Sequence, residues 1–483
     1  MGQPFGFLTY SRAHPSLRET QERVSDYREV YCRLSEREIV GQAARCMDCG
    51  IPFCHSLGCP LGNLIPEWND AVYRGHWREA YKRLEKTNNF PEITGRICPA
   101  PCEASCTLSI SDDPVAIKDD ELTIIEHAFR EGWVEPRIPE KETGIKVAVI
   151  GSGPAGLVAA QQLRRAGHAV TVFEKDEKPG GILRYGIPDF KLEKWVLERR
   201  LDQLVREGVQ FENGVVVGED ISVRYLQKKF DYLLITTGSS APRDLPVTGR
   251  GYEGVHYAMD FLTASNRYVS GERSLQLAED PLLNCRGKRV LVLGGGDTGS
   301  DCVGTAVRQG AAEVYQFEIM PKPQEWEESW NPQWPDWPRV LRTSSSHLEG
   351  CTRDWGIETV RFSGRGVAIE EAFFVRVDAR RNKRTGRMEF KRIPGSEFSL
   401  KVDKVLLALG FLHTEHNKLV QNLGVKLDPR GNIAVNNDYQ TSITNVFAAG
   451  DATTGAALVV RAMYHGREAG NAVNRVINRG MNT

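Results

Sequence analysis

The fold is decided by the stretch Lys146-Val-Ala-Val-Ile-Gly-Ser-Gly-Pro-Ala-Gly156, in which an apolar strand runs into a glycine-rich turn. A helix-like segment and a second strand, Ala169-Val-Thr-Val-Phe-Glu174, follow it. In this pattern Gly151 permits a tight turn, Gly153 lets the backbone approach a pyrophosphate, and Gly156 allows the helix to pack closely on the strand. The complete unit, with an acidic residue at its far end, predicts a dinucleotide-binding α/β fold.

The helix after this turn is predicted to hold phosphate groups at its N-terminus, where Pro154 and Ala155 lie. Free N–H groups and the positive end of the helix dipole face outward there. Glu174 lies 23 residues after Gly151, where a carboxylate can accept hydrogen bonds from a ribose hydroxyl. Lys175 adjoins it and is a further candidate contact.

The same pattern occurs a second time along the chain. The strand Arg289-Val-Leu-Val-Leu293 leads into Gly294-Gly-Gly-Asp-Thr-Gly299, and a helix-like stretch then leads to Glu313-Val-Tyr-Gln-Phe-Glu318. A glycine turn without a ligand is the alternative at either loop. Because both loops carry their flanking strands and helices, the chain is predicted to bind two dinucleotides. The candidate contacts at the second loop are Gly294, Gly296, Asp297, Thr298, Gly299 and Glu318.

Composition limits the class of protein. A chain of 483 residues with 41% hydrophobic content can form about two to four globular domains. The net charge of −1 argues against a nucleic-acid or membrane-surface role. There is no run of 18 apolar residues and no apolar core of a signal peptide, so we expect a soluble, cytoplasmic protein.

Seven cysteines are concentrated between positions 46 and 106. Cytosolic thiols stay reduced, so metal ligation is favoured over disulfides. Zinc sites prefer paired C-x2-C knuckles, whereas cysteines at short spacings, some followed by proline, are typical of iron-sulfur ligation, with zinc as the alternative. Two [4Fe-4S] clusters would need an eighth ligand, which Cys32 or a carboxylate could supply. The seven are Cys46, Cys49, Cys54, Cys59, Cys98, Cys102 and Cys106.

The rest of the chain can be divided around these anchors. Helix-period stretches at 68–86 and 121–131 predict a mostly helical domain, and the Pro-rich stretch 134–144 is the predicted linker to the first nucleotide-binding unit. Near the end, Thr444-Asn-Val-Phe-Ala-Ala-Gly450-Asp451 precedes a predicted helix and is expected to return to that first unit. The second unit would then be an insertion, and Asp451 would bind a ribityl or pyrophosphate group.

Longer motifs surround these features. They are Cys46-Met-Asp-Cys49-Gly-Ile-Pro-Phe-Cys54, Asn63-Leu-Ile-Pro-Glu-Trp-Asn69, Asn88-Asn-Phe-Pro-Glu92, Cys98-Pro-Ala-Pro-Cys102, Gly180-Gly-Ile-Leu-Arg-Tyr-Gly186-Ile-Pro188 with Lys191, Gly294-Gly-Gly-Asp297-Thr-Gly299 and Ala449-Gly-Asp451. Together they resemble the small (β) subunit of glutamate synthase, with the reductase region of dihydropyrimidine dehydrogenase as a relative. The resemblance covers essentially the whole chain.

The resemblance implies an α/β fold with a helical N-terminal iron-sulfur domain and two doubly wound, Rossmann-like domains. Residues 1–144 would hold the clusters, 145–245 with 406–483 would bind FAD, and 246–405 would bind NAD(P)H. Cys46, Cys49, Cys54 and Cys106 would hold one [4Fe-4S] cluster, and Cys59, Cys98, Cys102 and Glu121 the other. For Glu121 the alternative is a solvated carboxylate at a helix start. The flavin contacts would include Gly181, Gly186, Ile187, Lys191, Thr237, Gly238 and Gly450, with a surface lysine as the alternative for Lys191.

The implied function is electron input. Electrons would pass from a nicotinamide dinucleotide to FAD, then through the two clusters to the FMN of a large subunit, which makes L-glutamate from L-glutamine and 2-oxoglutarate. Hydride would pass directly between the stacked rings, so no residue is assigned as catalytic. The alternative is an NAD(P)H-dependent diaphorase or a ferredoxin:NAD(P)H transhydrogenase subunit.

Two features remain open in the sequence. Glu318 ends the second strand of the second unit, where an acid repels a 2′-phosphate, so we favour NADH over NADPH, although Arg308 or Lys322 could reach a phosphate. The residues 326–337 contain Trp326, Trp330, Trp334 and Trp337 between prolines. We interpret this segment as a self-packed aromatic loop, and the alternative is a surface for the large subunit.

Overall fold

The computed structural model describes residues 3–273, 279–386 and 388–481. Residues 3–144 form a helical unit, with no named strand among them. Its helices are α1 (Gly6–Thr9), α2 (Thr20–Arg23), α3 (Glu36–Ala44), α4 (Ile65–Tyr73), α5 (Trp77–Glu85), α6 (Pro91–Ile97), α7 (Pro101–Ala104) and α8 (Ile117–Arg130), with a π-helical turn at Cys54–Gly58 and a 3₁₀ turn at Thr107–Ile110.

The predicted helical stretch 68–86 is two helices rather than one. Gly75 lies between α4 and α5 with φ of 74°, a left-handed conformation that ends a helix and that glycine adopts without strain. The predicted stretch 121–131 falls within α8, apart from its last residue. Residues 133–145, which include the predicted linker, contain neither helix nor strand.

The strands form two parallel sheets and one antiparallel sheet. They are β1 (Lys146–Ile150), β2 (Ala169–Glu174), β3 (Gln210–Asn213), β4 (Tyr232–Ile235), β5 (Val255–Tyr257), β6 (Arg289–Leu293), β7 (Glu313–Glu318), β8 (Thr352–Trp355), β9 (Ile357–Arg365), β10 (Ala368–Arg381), β11 (Met388–Arg392), β12 (Phe398–Lys401), β13 (Lys404–Leu407) and β14 (Val446–Ala448). The first parallel sheet has the order β14-β4-β1-β2-β3, and the second has the order β5-β13-β6-β7-β8. Because β14 joins the first sheet after the whole second sheet has been completed, the second unit is inserted in the first.

The α/β fold class predicted from the sequence is therefore confirmed. The domain limits remain proposals, and one of them needs correction. β13 pairs with β5 and β6 along its whole length, so a boundary between residues 405 and 406 would cut a strand of the second sheet. We propose to place that boundary after Leu407.

An antiparallel sheet lies in the connection between β8 and β13 of the second parallel sheet and was missing from the predicted architecture. β10 pairs with β9, β11 and β12, and its buried residues are interleaved with partly exposed ones, with register shifts between Ile369 and Glu371 and between Phe373 and Phe374. Phe374 on β10 packs against Phe317 of the second parallel sheet with ring centroids 5.1 Å apart. This sheet therefore covers one face of the second unit.

Helices cover the parallel sheets. They are α9 (Pro154–Arg165), α10 (Ile182–Tyr185), α11 (Lys194–Glu207), α12 (Val223–Lys229), α13 (Ala258–Val269), α14 (Asp297–Arg308), α15 (Ser345–Leu348), α16 (Lys418–Leu423), α17 (Asp451–Thr454) and α18 (Val459–Met481). Among the described residues, no helix is both long and apolar enough to cross a membrane.

The helical unit and the first sheet unit share one hydrophobic core. Buried side chains of α3 to α8 are continuous with those of β1, α9, α11 and α18. Across this junction, Glu92 of α6 accepts two hydrogen bonds from Arg200 of α11, at 2.6 and 2.7 Å. Asn89 donates to Gln161 of α9 at 2.7 Å. The cysteine-bearing unit is thus fixed to the first dinucleotide-binding unit rather than tethered to it.

Candidate functional site

The first glycine loop has the geometry that its sequence predicts. Gly151 has φ of 103°, and a Cβ there would lie 2.7 Å from the carbonyl oxygen of Thr236. A Cβ at Gly156 would lie 1.9 Å from the carbonyl oxygen of Gly151, so only glycine lets the helix begin so close to the turn. At Gly153, by contrast, a Cβ would meet no atom of the described residues within 4 Å. The loop therefore presents open backbone at the N-terminus of α9, where Pro154 and Ala155 form the first turn.

The acid at the end of β2 lies directly against this loop. The buried Glu174 carboxylate accepts a hydrogen bond from the backbone N–H of Ser152 at 3.1 Å and another from the Ser152 hydroxyl. The backbone N–H of Asp176 donates to its other oxygen at 2.9 Å. The neighbouring Lys175 is exposed and pairs with Asp176 at 3.1 Å. Ser152, which sequence reasoning did not single out, fixes the carboxylate beside the loop.

The segment containing Gly181, Gly186 and Ile187 reaches the same loop. The backbone N–H of Gly180 donates to Ser152 Oγ at 2.8 Å. Gly181 has φ of 52°, and a Cβ there would lie 2.8 Å from the Cα of Gly153. The structure thus brings this segment against the glycine turn, as a single binding cleft requires.

The C-terminal segment enters the cleft from the other side. A Cβ at Gly450 would lie 2.8 Å from Ala155 Cβ, so the segment touches the first turn of α9. Asp451 Oδ1 is buried and has no hydrogen-bond partner among the described residues. Burial raises the pKa of Asp451 to about 6, against a backbone hydrogen bond from Ala457 that lowers it. A buried carboxylate oxygen without a partner beside an open phosphate loop is a position for a ligand that donates hydrogen bonds.

Two more predicted contacts lie at the end of β4. Thr237 Oγ1 lies 3.4 Å from Thr414 Oγ1, and Gly238 has φ of 76°.

Close packing of α18 on α9 is possible because residue 466 is glycine: a Cβ there would lie 2.2 Å from the carbonyl oxygen of Ala155. Gly466 was not predicted as a site residue, although a glycine in a helix is its sequence signal.

The second glycine loop repeats the first. A Cβ at Gly294, where φ is 115°, would lie 2.2 Å from the carbonyl oxygen of Ala408, and one at Gly299 would lie 2.3 Å from that of Gly294. A Cβ at Gly296 would meet no described atom within 4 Å. Asp297 and Thr298 begin α14 directly after this open position.

Glu318 lies over the second loop. A Cβ at Gly295 would lie 1.6 Å from Glu318 Oε1, and the indole N–H of Trp355 donates to that oxygen at 3.1 Å. Burial raises the pKa of Glu318, and the Trp355 bond and the charge of Arg353 oppose that shift. Arg353 and Lys322 both lie on the Trp355 ring, with their charged groups 5.0 and 5.3 Å from its centroid. Arg353 is therefore the cation that acts on this carboxylate, although sequence reasoning did not name it; Lys322, which it did name, pairs with Glu325.

Two alternatives that the sequence left open for single cations are wrong. Arg308 is not available to a phosphate, because its side chain is fully buried and pairs with Glu349 at 2.6 Å. Lys191 is not a free surface lysine, because it forms a close ion pair with Asp301 of α14. This pair joins the segment after Gly186 to the second unit. The ammonium keeps its charge there because the Asp301 carboxylate outweighs the effect of burial and raises the pKa of Lys191.

The seven clustered cysteines form two groups. In the first, Cys46, Cys49, Cys54 and Cys106 line one small cavity together with Phe53. Burial is the largest cause of the raised pKa of the Cys54 thiol, and the other three members of its group raise it further. Among the described residues, no three His, Cys, Asp or Glu side chains converge tightly enough to bind a single metal ion.

The second group contains Cys59, Cys98 and Cys102. Burial raises the pKa of the Cys98 thiol to about 12, and Glu121 and Cys59 add to that shift. The pKa of Cys102 is likewise raised by burial, then by Cys59 among its neighbours. Cys32 lies outside both groups and is exposed.

Glu121 is not a solvated carboxylate, so that alternative is wrong. It is buried on α8 and accepts hydrogen bonds from Asn63 and Asn88, both at 3.2 Å, and from the Thr94 hydroxyl. Burial raises its pKa to about 8, while the Thr94 bond opposes the shift. Asn63 and Asn88, which begin two of the quoted motifs, and Thr94 of α6 hold the carboxylate beside the second cysteine group.

The comparisons with known proteins agree with this arrangement. Residues 145–466 match the pyridine nucleotide-disulphide oxidoreductase family, and residues 23–133 match the family described as dihydropyrimidine dehydrogenase domain II, 4Fe-4S cluster. FprA of Mycobacterium tuberculosis, in its His57Gln form, has a TM-score of 0.56 at 16% identity over 70% of this chain and 86% of its own, which shows a shared fold.

Curated relatives match nearly end to end. The chain is 51% identical to the glutamate synthase [NADPH] small chain of Mycobacterium tuberculosis, covering 99% of this chain and 96% of that protein. It is 44% identical to the corresponding small chain of Bacillus subtilis, covering 99% of each. Glutamate synthase [NADH] of Schizosaccharomyces pombe is 42% identical over 97% of this chain, which spans 22% of that longer protein. The chain is therefore an oxidoreductase that belongs to the glutamate synthase small-chain family.

Proposed function

We propose that this chain is the electron-input subunit of a glutamate synthase. It oxidises NAD(P)H at FAD and passes the electrons through two [4Fe-4S] clusters to a large, FMN-containing subunit, which makes L-glutamate from L-glutamine and 2-oxoglutarate. The observation that supports this most strongly is that the chain holds two open glycine loops and two buried cysteine groups, with one hydrophobic core joining the cysteine unit to the unit of the first loop. Family membership supplies the identity of the product and the partner.

The first cleft is the proposed FAD site. Open backbone at Gly153 and the N-terminus of α9 suit the pyrophosphate, and Glu174 lies where a ribose hydroxyl would donate to it. Asp451 offers its unpartnered oxygen to a ribityl hydroxyl. When bound, FAD accepts a hydride and releases its electrons singly, which suits one-electron clusters. The residues of this chain supply binding and orientation rather than acid-base catalysis.

The second cleft is the proposed nicotinamide dinucleotide site, and we propose a preference for NADH. Trp355 holds the Glu318 carboxylate over the loop, where it can accept bonds from two free ribose hydroxyls and would repel a 2′-phosphate. Arg308 is locked in its pair with Glu349 and cannot offset that repulsion. Arg353 is the cation that favours the opposite choice. Bacterial relatives are named for NADPH and the fission-yeast relative for NADH, so the family contains both preferences.

The cysteine groups are the proposed cluster sites. The first group supplies four thiolates, as one [4Fe-4S] cluster requires. The second supplies three, and Glu121 is the proposed fourth ligand, positioned by Asn63 and Asn88. Cys32 is exposed, whereas Glu121 is buried beside the second group, so Cys32 is the less favoured ligand.

The test is to purify the chain anaerobically from its native cell, analyse its cofactors and identify its stoichiometric partners by mass spectrometry. We expect FAD, together with about eight iron and about eight acid-labile sulfide per chain, and a large FMN-containing chain as partner. Zinc without sulfide would refute the cluster assignment. Recovery with a small flavin and [2Fe-2S] subunit instead would move the function to a transhydrogenase, and recovery alone would move it to a diaphorase.

A further inference from the structure

The tryptophan-rich loop, residues 326–337, does more than pack on itself. Trp326 and Trp330 do pack together, with ring centroids 4.8 Å apart and the Trp326 indole N–H donating to the carbonyl of Trp330 at 3.0 Å. Trp334, however, points away from this pair to the helical unit, where its indole N–H donates to the carbonyl oxygen of Cys106 at 3.1 Å. The self-packed interpretation is therefore wrong for Trp334.

Several hydrogen bonds join the tryptophan-rich loop to one segment of the helical unit. The backbone N–H of Asn331 donates to Ser109 at 2.5 Å and its side-chain amide donates to Ala104 at 2.9 Å. The Ser105 hydroxyl donates to the carbonyl of Pro335 at 2.8 Å. Asn331 is buried in this junction. The loop thus holds residues 104–109, the segment that carries Cys106.

The same tryptophan closes one side of the first cysteine group. Its ring lies 4.8 Å from that of Phe53, centroid to centroid. Phe53 lines the cavity shared by Cys46, Cys49, Cys54 and Cys106. The two rings are tilted by 47° to each other, and together these apolar side chains cover the cavity of the four thiols on this side.

We propose that Trp334 is a positioning residue for the cluster held by Cys46, Cys49, Cys54 and Cys106: it holds the Cys106 segment and keeps water and oxygen away from the cluster. The inference rests on the proposed function, because it needs a cluster at these thiols. Solvent exposure is one of the factors that set the potential of an iron-sulfur cluster. Reduction adds negative charge, which water stabilises, so an exposed cluster is easier to reduce. Trp334 would therefore keep the midpoint potential low.

The test compares Trp334→Ala with Trp326→Ala in the full chain, purified anaerobically. Trp326 is the matched control because it belongs to the same loop but packs on Trp330. We expect Trp334→Ala to raise the midpoint potential of one cluster in an EPR-monitored redox titration and to lose iron several-fold faster in air. Trp326→Ala should match the parent in both. Equal potentials and equal rates of iron loss in the two variants would overturn the proposal.

Two further measurements separate failure of this inference from other failures. If the parent chain contains no iron or sulfide, the proposed function itself fails. If Trp334→Ala does not retain FAD, Trp334→Phe replaces it, since phenylalanine keeps an apolar ring but removes the indole donor to Cys106. Trp334→Phe should shift the potential and the iron loss in the same directions, and an unshifted Trp334→Phe would overturn the proposal.

Discussion

Replacing Arg200 with methionine is expected to destabilise the protein by about 3–5 kcal/mol, because the change leaves the Glu92 carboxylate buried without its cation. The Glu92 side chain is 0% exposed and the Arg200 side chain is 4% exposed. Their two bonds, at 2.6 and 2.7 Å, are bidentate, so no single neighbour can replace them. Since Glu92 belongs to the helical unit and Arg200 to the first sheet unit, the substitution weakens the contact between these two units.

The chain offers a matched control on the same helix. Arg206 pairs with Asp202, but these side chains are 61% and 56% exposed, so Arg206→Met should change the free energy of unfolding by about 0–1 kcal/mol. Replacing Glu92 by leucine together with Arg200→Met removes both buried charges. That double variant should recover most of the stability lost by Arg200→Met alone.

The assay is anaerobic urea unfolding, followed by far-ultraviolet circular dichroism and by flavin fluorescence. Because the two units share a core, both signals should move together in the parent chain. Arg200→Met should shift both transitions to lower urea. If Arg200→Met and Arg206→Met have equal midpoints, or if the flavin signal alone shifts, the cysteine-bearing unit is not fixed by this pair and the reasoning is wrong.

Three other predictions concern the cofactor sites. Glu318→Gln removes the charge that opposes a 2′-phosphate, so the ratio of kcat/KM for NADH to that for NADPH should fall about tenfold or more, equivalent to about 1.4 kcal/mol; an unchanged ratio would exclude Glu318 as the determinant. Burial raises the pKa of Asp451 to about 6, so its carboxylate loses its charge as the pH falls through that value, and FAD uptake by the apoprotein should weaken below about pH 6. Asp451→Asn should flatten this pH profile, and an equally steep profile would contradict the assignment. Cys46→Ser and Cys59→Ser should each remove about half of the iron and sulfide, and together nearly all of it; loss of all iron from either single variant would indicate one shared site.

Much of the fold could be predicted from the sequence because its signals are local. Each glycine loop requires glycine at fixed spacing between a strand and a helix, so Gly151 and Gly294 mark both sheets directly. The helix break at Gly75 was also local, but an isolated glycine in a helical pattern does not by itself indicate a break. The antiparallel strands after Ile357 have a weaker local signal, because register shifts interrupt the alternation of buried and exposed residues along β10.

The contacts that were missed join distant parts of the chain. Trp334 and Cys106 are separated by 228 positions, and no periodicity of either segment indicates that they meet. Lys191 and Asp301 likewise meet only because the inserted second unit packs against the first. The buried Glu121 carboxylate is stabilised by hydrogen bonds from three polar side chains elsewhere in the chain. The sequence alone could therefore not distinguish it from an exposed acid at a helix start.

The central claim is that this chain delivers electrons from a nicotinamide dinucleotide to glutamate synthesis. The most direct test is to combine the purified chain with the large glutamate synthase subunit of the same organism and to measure L-glutamate formed from L-glutamine and 2-oxoglutarate with NADH or NADPH as reductant. The account predicts glutamate formation that needs both chains and the dinucleotide, with NADH the better reductant. Reduction of a dye by this chain with no glutamate formed alongside an active large subunit would contradict it.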